Sequence, residues 1–87
     1  MRKIIFSSTA LAELSLFKSG NQKLVFKIIE LINDIQKNPF QDLGKPEPLK
    51  GNYQGYWSRR INDEHRLFYK VSDDAIEIFS CYGHYTQ

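Results

Sequence analysis

The sequence predicts an α+β fold in which a helical hairpin covers one face of a small antiparallel sheet. In the first half of the chain apolar residues recur every three or four positions, whereas after Gly55 they recur at every second position. All three prolines lie in the irregular stretch 38–55 between these two patterns. The predicted element order is β-α-α-β-β-β: a short N-terminal strand, an α-helical hairpin and a three-stranded antiparallel meander.

The first elements of the chain are a predicted strand and a predicted helix. Residues 3–6 are expected to form the strand, and Ser7 or Ser8 to cap a helix over residues 9–18. The apolar side of this helix is made by Leu11, Leu14 and Phe17. We therefore expect these three side chains to face the core.

A second helix is predicted over residues 21–37, because its apolar residues form one stripe at helical spacing. The stripe consists of Leu24, Ile28, Leu31, Ile32 and Ile35. Asn38 and Pro39 end the helix. The short loop between the two helices predicts an antiparallel hairpin, and the long irregular connection after them is of a kind that is often functional.

The second half of the chain alternates with the period of a β-strand. Three strands are predicted, over residues 56–61, 66–71 and 75–82. Arg59 and Arg60 are neighbours on the first of them, so they point to opposite sides of the sheet. If the turn to the next strand has an odd number of residues or a bulge, Arg60 shares a face with Arg66. If it has an even number of residues, Arg59 does. The odd register is preferred, because it separates apolar from basic residues better.

Composition places the chain among ordinary soluble proteins. With 41% apolar and 25% charged residues, the 87 residues argue against disorder, collagen and an integral membrane protein. The single cysteine, Cys81, cannot form an internal disulfide, and with two histidines it falls short of a four-ligand zinc site. Cys81 is expected to be a buried apolar residue. We expect one domain over residues 1–87, no targeting segment and a cytoplasmic protein.

The segment GKPEPLK places a carboxylate between two prolines. Pro46 and Pro48 favour extended, polyproline-like geometry at Lys45 and Glu47, so that Glu47 and Lys50 project from one side. One interpretation is a general base beside a phosphate-binding cation. The other is a stiff surface linker with an incidental ion pair. The motif by itself favours the linker.

Arginines and aromatic residues lie close together on the predicted strands. Such a mixture suits phosphate binding and base stacking, and it also occurs on a solvated strand face. For Arg60 and Arg66 both interpretations remain open. Trp57 is expected in the core, and His65 is expected to be structural or exposed in a turn.

The C-terminal residues complete a set of groups with chemical meaning. His84 can donate a proton near neutral pH and Tyr85 can stack on a base, although a frayed end without a role is the alternative. RNA cleavage without a metal needs a base for the 2′-hydroxyl, an acid for the leaving 5′-oxygen and cations for the phosphorane. Glu47 and His84, with Arg66 and Lys50 as cations, have the required chemistry.

Four motifs resemble the Txe/YoeB family of toxins, within the RelE superfamily of bacterial toxin–antitoxin systems. They are GKPEPLK at 44–50, GYWSRRI at 55–61, EHRLFY at 64–69 and the closing His-Tyr at 84–85. The resemblance implies a RelE-like fold and a ribosome-dependent endoribonuclease that cleaves mRNA in the ribosomal A site. It implies a 2′,3′-cyclic phosphate product, no metal and no cofactor.

The resemblance also implies residue roles and partners. The general base falls on Glu47, the general acid on His84 and the transition-state arginine on Arg66. The candidates for RNA binding are Lys45, Lys50, Arg60 and Tyr85. The implied partners are mRNA, the ribosome, a YefM-like antitoxin that blocks the site, and a second copy of the toxin in a homodimer.

Two features depart from the family pattern. The first helix lacks the usual tryptophan- and tyrosine-rich sequence, and Thr86 and Gln87 follow the usual terminal tyrosine. The competing functions are a gyrase poison of the same fold, as in the ParE branch, and an RNA- or ribosome-binding module without catalysis. The ParE branch lacks the acid–base pair, so Glu47 and His84 together favour cleavage.

Overall fold

A computed structural model describes residues 2–41 and 43–83, and the predicted element order is confirmed there with one additional two-residue strand. The elements are β1 (Lys3–Phe6), α1 (Ser8–Gly20), α2 (Gln22–Lys37), β2 (Glu47–Pro48), β3 (Tyr56–Arg60), β4 (Arg66–Val71) and β5 (Ala75–Ser80). A single 3₁₀ turn, Gly51–Tyr53, separates β2 from β3. None of the helices in the described part of the chain has the length and apolar character needed to cross a membrane.

The strands of the described chain form one mixed sheet in the order β1-β5-β4-β3-β2. The predicted antiparallel meander is its β3–β4–β5 portion, and β1 adds to one edge in parallel with β5. A parallel pair needs a long connection, and residues 7–74, which carry both helices and the other strands, lie between β1 and β5. The extra strand β2 lies at the other edge, where Pro48 can be accommodated although it has no N–H to donate.

Helix α1 begins at the predicted cap, but its buried side differs from the predicted one. The Ser7 hydroxyl accepts from the backbone N–H of Ala10 at 3.0 Å, as expected for an N-cap. Ala10 and Phe17 are buried and Leu14 is partly buried against the core, whereas Leu11 is 51% exposed. The prediction for Leu11 was wrong because steps of three residues drift around a helix of 3.6 residues per turn, and small Ala10 takes the core position.

Helix α2 buries the stripe that the sequence predicts. Ile28, Leu31, Ile32 and Ile35 are buried, and Leu24 packs partly against the core. The opposite wall of the core is formed by the sheet and by the residue that follows β3, through Ile61, Leu67, Tyr69, Ile76 and Ile78. The helices thus cover one face of the sheet and leave the other face for the site described below.

The register of the first hairpin is the odd one. Arg60 is opposite Arg66, and Ser58 is opposite Phe68, across a five-residue turn. Arg60 and Arg66 therefore share the face away from the helices, as preferred from the sequence. The same alternation sends Arg59 toward the helices, where it is completely buried.

Buried Arg59 ties the irregular connection after α2 to the sheet. Its guanidinium donates to the carboxylate of Asp34 at 2.5 Å, and its Nε lies 3.1 Å from the hydroxyl of Tyr69. It also donates to three backbone carbonyls, those of Asn38, Gln41 and Leu43. A buried charge needs such a set of partners, because each unpaired polar group costs free energy.

The pairing with Arg59 makes part of the stability depend on pH. Burial by itself would raise the pKa of Asp34, but the hydrogen bond and charge of Arg59 outweigh it and hold that pKa below the ordinary value of 3.8. A carboxyl with a lowered pKa contributes stability that is complete above its unfolded-state pKa and is lost as the pH falls through its folded-state pKa.

We expect Asp34→Asn to weaken the acid dependence of stability. Between pH 6 and pH 3, where carboxyls protonate, the parent should lose more free energy of unfolding than the variant. Urea denaturation at both pH values measures the difference, with Glu30→Gln on the exposed part of α2 as the control. Equal losses in parent and Asp34→Asn would contradict the role of this carboxylate.

Candidate active site on the open face of the sheet

The open face of the sheet brings together the predicted general base and the predicted transition-state arginine. Glu47 of β2 is paired with Ser58 of β3. Nη1 of Arg66, at the start of β4, lies 3.5 Å from Oε2 of Glu47 and donates to the Ser58 hydroxyl at 3.1 Å. Glu47 and Arg66 meet because β2 and β4 lie on either side of β3, and both side chains project from the same face of the sheet.

The two charged partners differ in exposure. The side chain of Glu47 is 61% exposed, whereas that of Arg66 is only 21% exposed. An ion pair as open as this contributes only about 0–1 kcal/mol, so a substrate can separate it at little cost. The arrangement combines a carboxylate that can accept a proton from a bound molecule with a partly desolvated cation that can stabilise negative charge.

Ser58 is a residue of the candidate site to which the sequence interpretation assigned no role. It is buried, and its hydroxyl fixes one nitrogen of the Arg66 guanidinium. The available signal was the strand alternation, which places Ser58 on the face of Arg60 and Arg66. A serine between a tryptophan and an arginine on a strand carries no functional signal of its own, so only the contact reveals its role.

The backbone before Glu47 is not extended throughout, which corrects the expectation for Lys45. Lys45 has φ 52°, and Gly44 before it has φ 77°. Gly44 packs so closely that a Cβ there would lie 2.9 Å from Leu31 Cδ2, and its carbonyl accepts from Arg60 N at 2.8 Å. These tertiary contacts override the preference of a residue before proline, and the exposed Lys45 leaves this turn just ahead of β2.

The other predicted RNA-binding cations lie at the margins of the face. Arg60 is half-exposed and forms an ion pair with Asp63 in the turn after β3. Lys50 is exposed and directly precedes the 3₁₀ turn, where its carbonyl accepts from Tyr53 N at 3.2 Å. The predicted His84 and Tyr85, with Thr86 and Gln87, lie outside the described residues.

The last described residue, Gly83, is attached to the start of β4. Its carbonyl accepts from Arg66 N at 2.9 Å, and its N–H donates to Nδ1 of His65 at 2.8 Å. The structural interpretation of His65 is thereby confirmed. The chain immediately before His84 is held beside Arg66.

Aromatic side chains occupy much of the open face near this attachment. The rings of Phe68 and Tyr56 pack against Phe79 at centroid distances of 5.8 and 4.6 Å. Phe68 and Phe79 border a cavity of about 240 Å³, which is lined by Leu49, Tyr53, Phe68, Phe79, Ser80, Tyr82 and Gly83. Trp57, on the other face, packs against the core and against Phe40, as expected from the sequence.

Two other kinds of site were considered within the described residues: a nucleophilic thiol and a group of metal ligands. Cys81 is buried, and burial followed by the charge of Glu13 raises the pKa of its thiol to about 12. A thiol of this kind is not a nucleophile at neutral pH, which confirms the sequence interpretation. In residues 2–41 and 43–83 no three histidine, cysteine or acidic side chains are grouped to hold a metal ion.

Comparison with known proteins assigns the chain to a family. Residues 6–85 match the family described as the YoeB-like toxin of bacterial type II toxin-antitoxin system. Over 83 residues the chain is 46% identical to Toxin YoeB of Escherichia coli (strain K12), which covers 95% of this chain and 99% of the relative.

Solved structures agree with this match. The structure of the YoeB dimer from Staphylococcus aureus has a TM-score of 0.91 at 47% identity, covering 97% of this chain and 98% of that chain. A YoeB-YefM complex from the same organism has a TM-score of 0.88 at 48% identity, covering 98% and 99%. The fold is thus the RelE-like toxin fold that the motifs predict. The chain belongs to the family of YoeB-like toxins of bacterial type II toxin–antitoxin systems.

Proposed function

We propose that the chain is a ribosome-dependent endoribonuclease that cleaves mRNA in the A site and so inhibits translation. The observation that carries the proposal is the 3.5 Å approach of the Glu47 carboxylate to the Arg66 guanidinium on an open sheet face. The attachment of Gly83 beside Arg66 supports it further, because His84 is one peptide unit away.

The proposed reaction uses these groups in one displacement. Glu47 takes the proton of a ribose 2′-hydroxyl, and the 2′-oxygen forms a bond to the adjacent phosphorus. The bond from phosphorus to the 5′-oxygen breaks, and His84 protonates that leaving oxygen. Arg66 and Lys50 stabilise the negative charge of the phosphorane. The products are a 2′,3′-cyclic phosphate and a free 5′-hydroxyl, and no water or metal takes part in this step.

Further groups are assigned to holding the RNA. Lys45 and Arg60 are exposed or half-exposed cations that suit contacts with flanking phosphates. Tyr85 is assigned to orienting the RNA. The aromatic side chains of the open face suit stacking with unstacked, splayed bases of the mRNA. A ribosomal substrate requires that the protein acts in the cytoplasm.

The same proposal includes two protein partners. The relatives solved as a YoeB dimer and as a YoeB-YefM complex support a homodimer and a YefM-like antitoxin for this chain. An antitoxin segment that covers the open face would deny mRNA access to Glu47 and Arg66. The antitoxin would thus inhibit the reaction by steric exclusion.

The proposed reaction requires the ribose 2′-hydroxyl next to the phosphate that is cut. Primer extension in a translation extract should reveal new mRNA ends within the A-site codon after the toxin is added. An otherwise identical mRNA with a 2′-deoxy nucleotide at the mapped position should resist cutting there, because the internal nucleophile is missing. A 2′-deoxy substitution two nucleotides away is the control and should leave cutting unchanged.

The same experiment separates the competing functions. Cutting at the deoxy position would contradict attack by the 2′-hydroxyl. Translational arrest without new mRNA ends would indicate a ribosome-binding module. Intact mRNA together with inhibited DNA supercoiling by gyrase would indicate a ParE-like poison.

A further inference from the structure

The guanidinium of Arg66 has two partners on the open face, and they differ in how firmly they hold it. Its Nη1 donates to the hydroxyl of Ser58 at 3.1 Å, which is within the range of an ordinary hydrogen bond. The carboxylate of Glu47 is 3.5 Å away, beyond that range, and its side chain is 61% exposed. Ser58 is only 1% exposed. The firmer of the two contacts is therefore the one to the serine.

The hydroxyl of Ser58 is fixed by the position of this residue in the sheet. Its strand, β3, is paired on both sides, and Ser58 lies opposite Glu47 of β2 and Phe68 of β4. The serine oxygen is placed by a single side-chain rotation, whereas an arginine side chain has many rotamers. A short side chain on a strand with a neighbour on each side thus gives the long side chain of Arg66 a fixed point of attachment.

The proposed reaction weakens the other contact of Arg66. Glu47 takes the proton of the 2′-hydroxyl and is then neutral, so its attraction for the guanidinium falls while negative charge develops on the phosphorane. The hydroxyl of Ser58 carries no charge, and its hydrogen bond to Arg66 does not depend on the proton of Glu47. This hydrogen bond also leaves the positive charge of the guanidinium available for the phosphate.

We propose that Ser58 is a positioning residue, whose hydroxyl holds Arg66 beside the reacting phosphate while Glu47 takes the proton. This inference rests on the proposed function. Donors that are in place beforehand stabilise a transition state because they need no rearrangement when the charge appears. A reacting group that is misplaced by about 1 Å costs on the order of a hundredfold in rate. Without the serine, Arg66 would have to be ordered during the reaction, and the rate would fall.

Three variants of Ser58 separate the hydrogen bond from the shape of the side chain. Ser58→Ala removes the hydroxyl, and Ser58→Cys replaces it with a thiol of similar shape that is a poor acceptor. Ser58→Thr keeps the hydroxyl on a strand, where β-branched residues are favoured. The matched control is Ser72→Ala, because the Ser72 hydroxyl is also part-buried and bonded, to Ala75 in the turn after β4. That turn is at the opposite end of β4 from Arg66.

We expect the acceptor to decide the rate of mRNA cutting. In a translation extract Ser58→Ala and Ser58→Cys should lower kcat about 10–100-fold, the loss expected for a hydrogen bond to a charged group. KM for mRNA-bound ribosomes should be unchanged, because the lost interaction acts on the transition state. Ser58→Thr should recover most of the loss. Ser72→Ala should cut as the parent does, under conditions in which urea denaturation shows all variants to be folded.

Rotation of the Arg66 guanidinium in the free protein, measured by NMR, tests the contact without RNA. It should be slow in the parent and in Ser58→Thr, and faster in Ser58→Ala and Ser58→Cys. With a parent that cuts, the positioning role is overturned by parent-like kcat or parent-like rotation in Ser58→Ala and Ser58→Cys, or by an equal loss of kcat in Ser72→Ala. Slow rotation in Ser58→Thr without recovery of kcat would overturn it as well. These results would leave the proposed function intact, whereas a parent that leaves mRNA uncut would overturn both.

Discussion

Replacing Arg59 with methionine is expected to lower the free energy of unfolding by about 3–5 kcal/mol. The substitution removes a completely buried guanidinium and leaves the carboxylate of Asp34, whose side chain is 12% exposed, without its counter-charge. It also removes the donor for three carbonyls of the connection after α2. Small proteins have only about 5–15 kcal/mol of stability, so this loss would remove a large fraction of it.

Urea denaturation measures this loss, and the neighbouring arginine provides the matched control. Arg60→Met removes the same side chain one position along β3, where it is half-exposed and pairs with Asp63 across a turn. Its expected cost is below about 1 kcal/mol. Arg59→Lys should recover only part of the loss, because an ammonium cannot reproduce the planar set of five donors. Similar costs for Arg59→Met and Arg60→Met would show that the buried network contributes little.

Replacing Glu47 with glutamine is expected to lower the rate of mRNA cutting by about 10²–10⁴-fold, the usual contribution of a general base. The amide has the shape of the carboxylate but cannot accept the 2′-hydroxyl proton. The fold should survive, since the side chain is largely exposed and its ion pair is weak. The measurement is the appearance of new mRNA ends with time in a translation extract, beside a urea denaturation curve.

Glu30→Gln is the matched control, because Glu30 is a similarly exposed glutamate on α2 with a lysine partner. It should cut as the parent does. His84→Gln is expected to lower the rate in the same range, by removing the acid for the leaving oxygen. If the two groups act in one step, the double variant should lose less than the product of the single losses. Unchanged cutting by either single variant would contradict the proposed acid–base mechanism.

Much of the fold could be predicted because its determinants are local. The stripe on α2 repeats at helical spacing, so its buried face is readable from the chain alone. The cap at Ser7 depends on a bond to Ala10, three residues away. The odd register of the first hairpin was preferred because it separates apolar from basic residues on the two strands, and it places Arg60 opposite Arg66. The four motifs were likewise sufficient to recognise the family.

The errors concern contacts between distant residues. Leu11 is apolar and three residues before Leu14, yet Ala10 faces the core, where its carbonyl oxygen lies 3.8 Å from the sulfur of Cys81. Lys45 precedes a proline, yet its φ is positive because Gly44 packs against Leu31 and β3. Neither outcome can be derived from the local preference of one residue.

The sequence by itself determined both helices and the longer strands, favoured Arg60 as the arginine that shares a face with Arg66, and contained the motifs that identify the family. Only the tertiary structure decided that Arg59 is buried, that Ser58 holds Arg66, and that His65 holds Gly83. The physical reason is that the spacing of apolar residues and the residues that favour turns act locally, over a few positions of the chain. A buried charge or an oriented side chain depends on partners that only folding brings within hydrogen-bond distance.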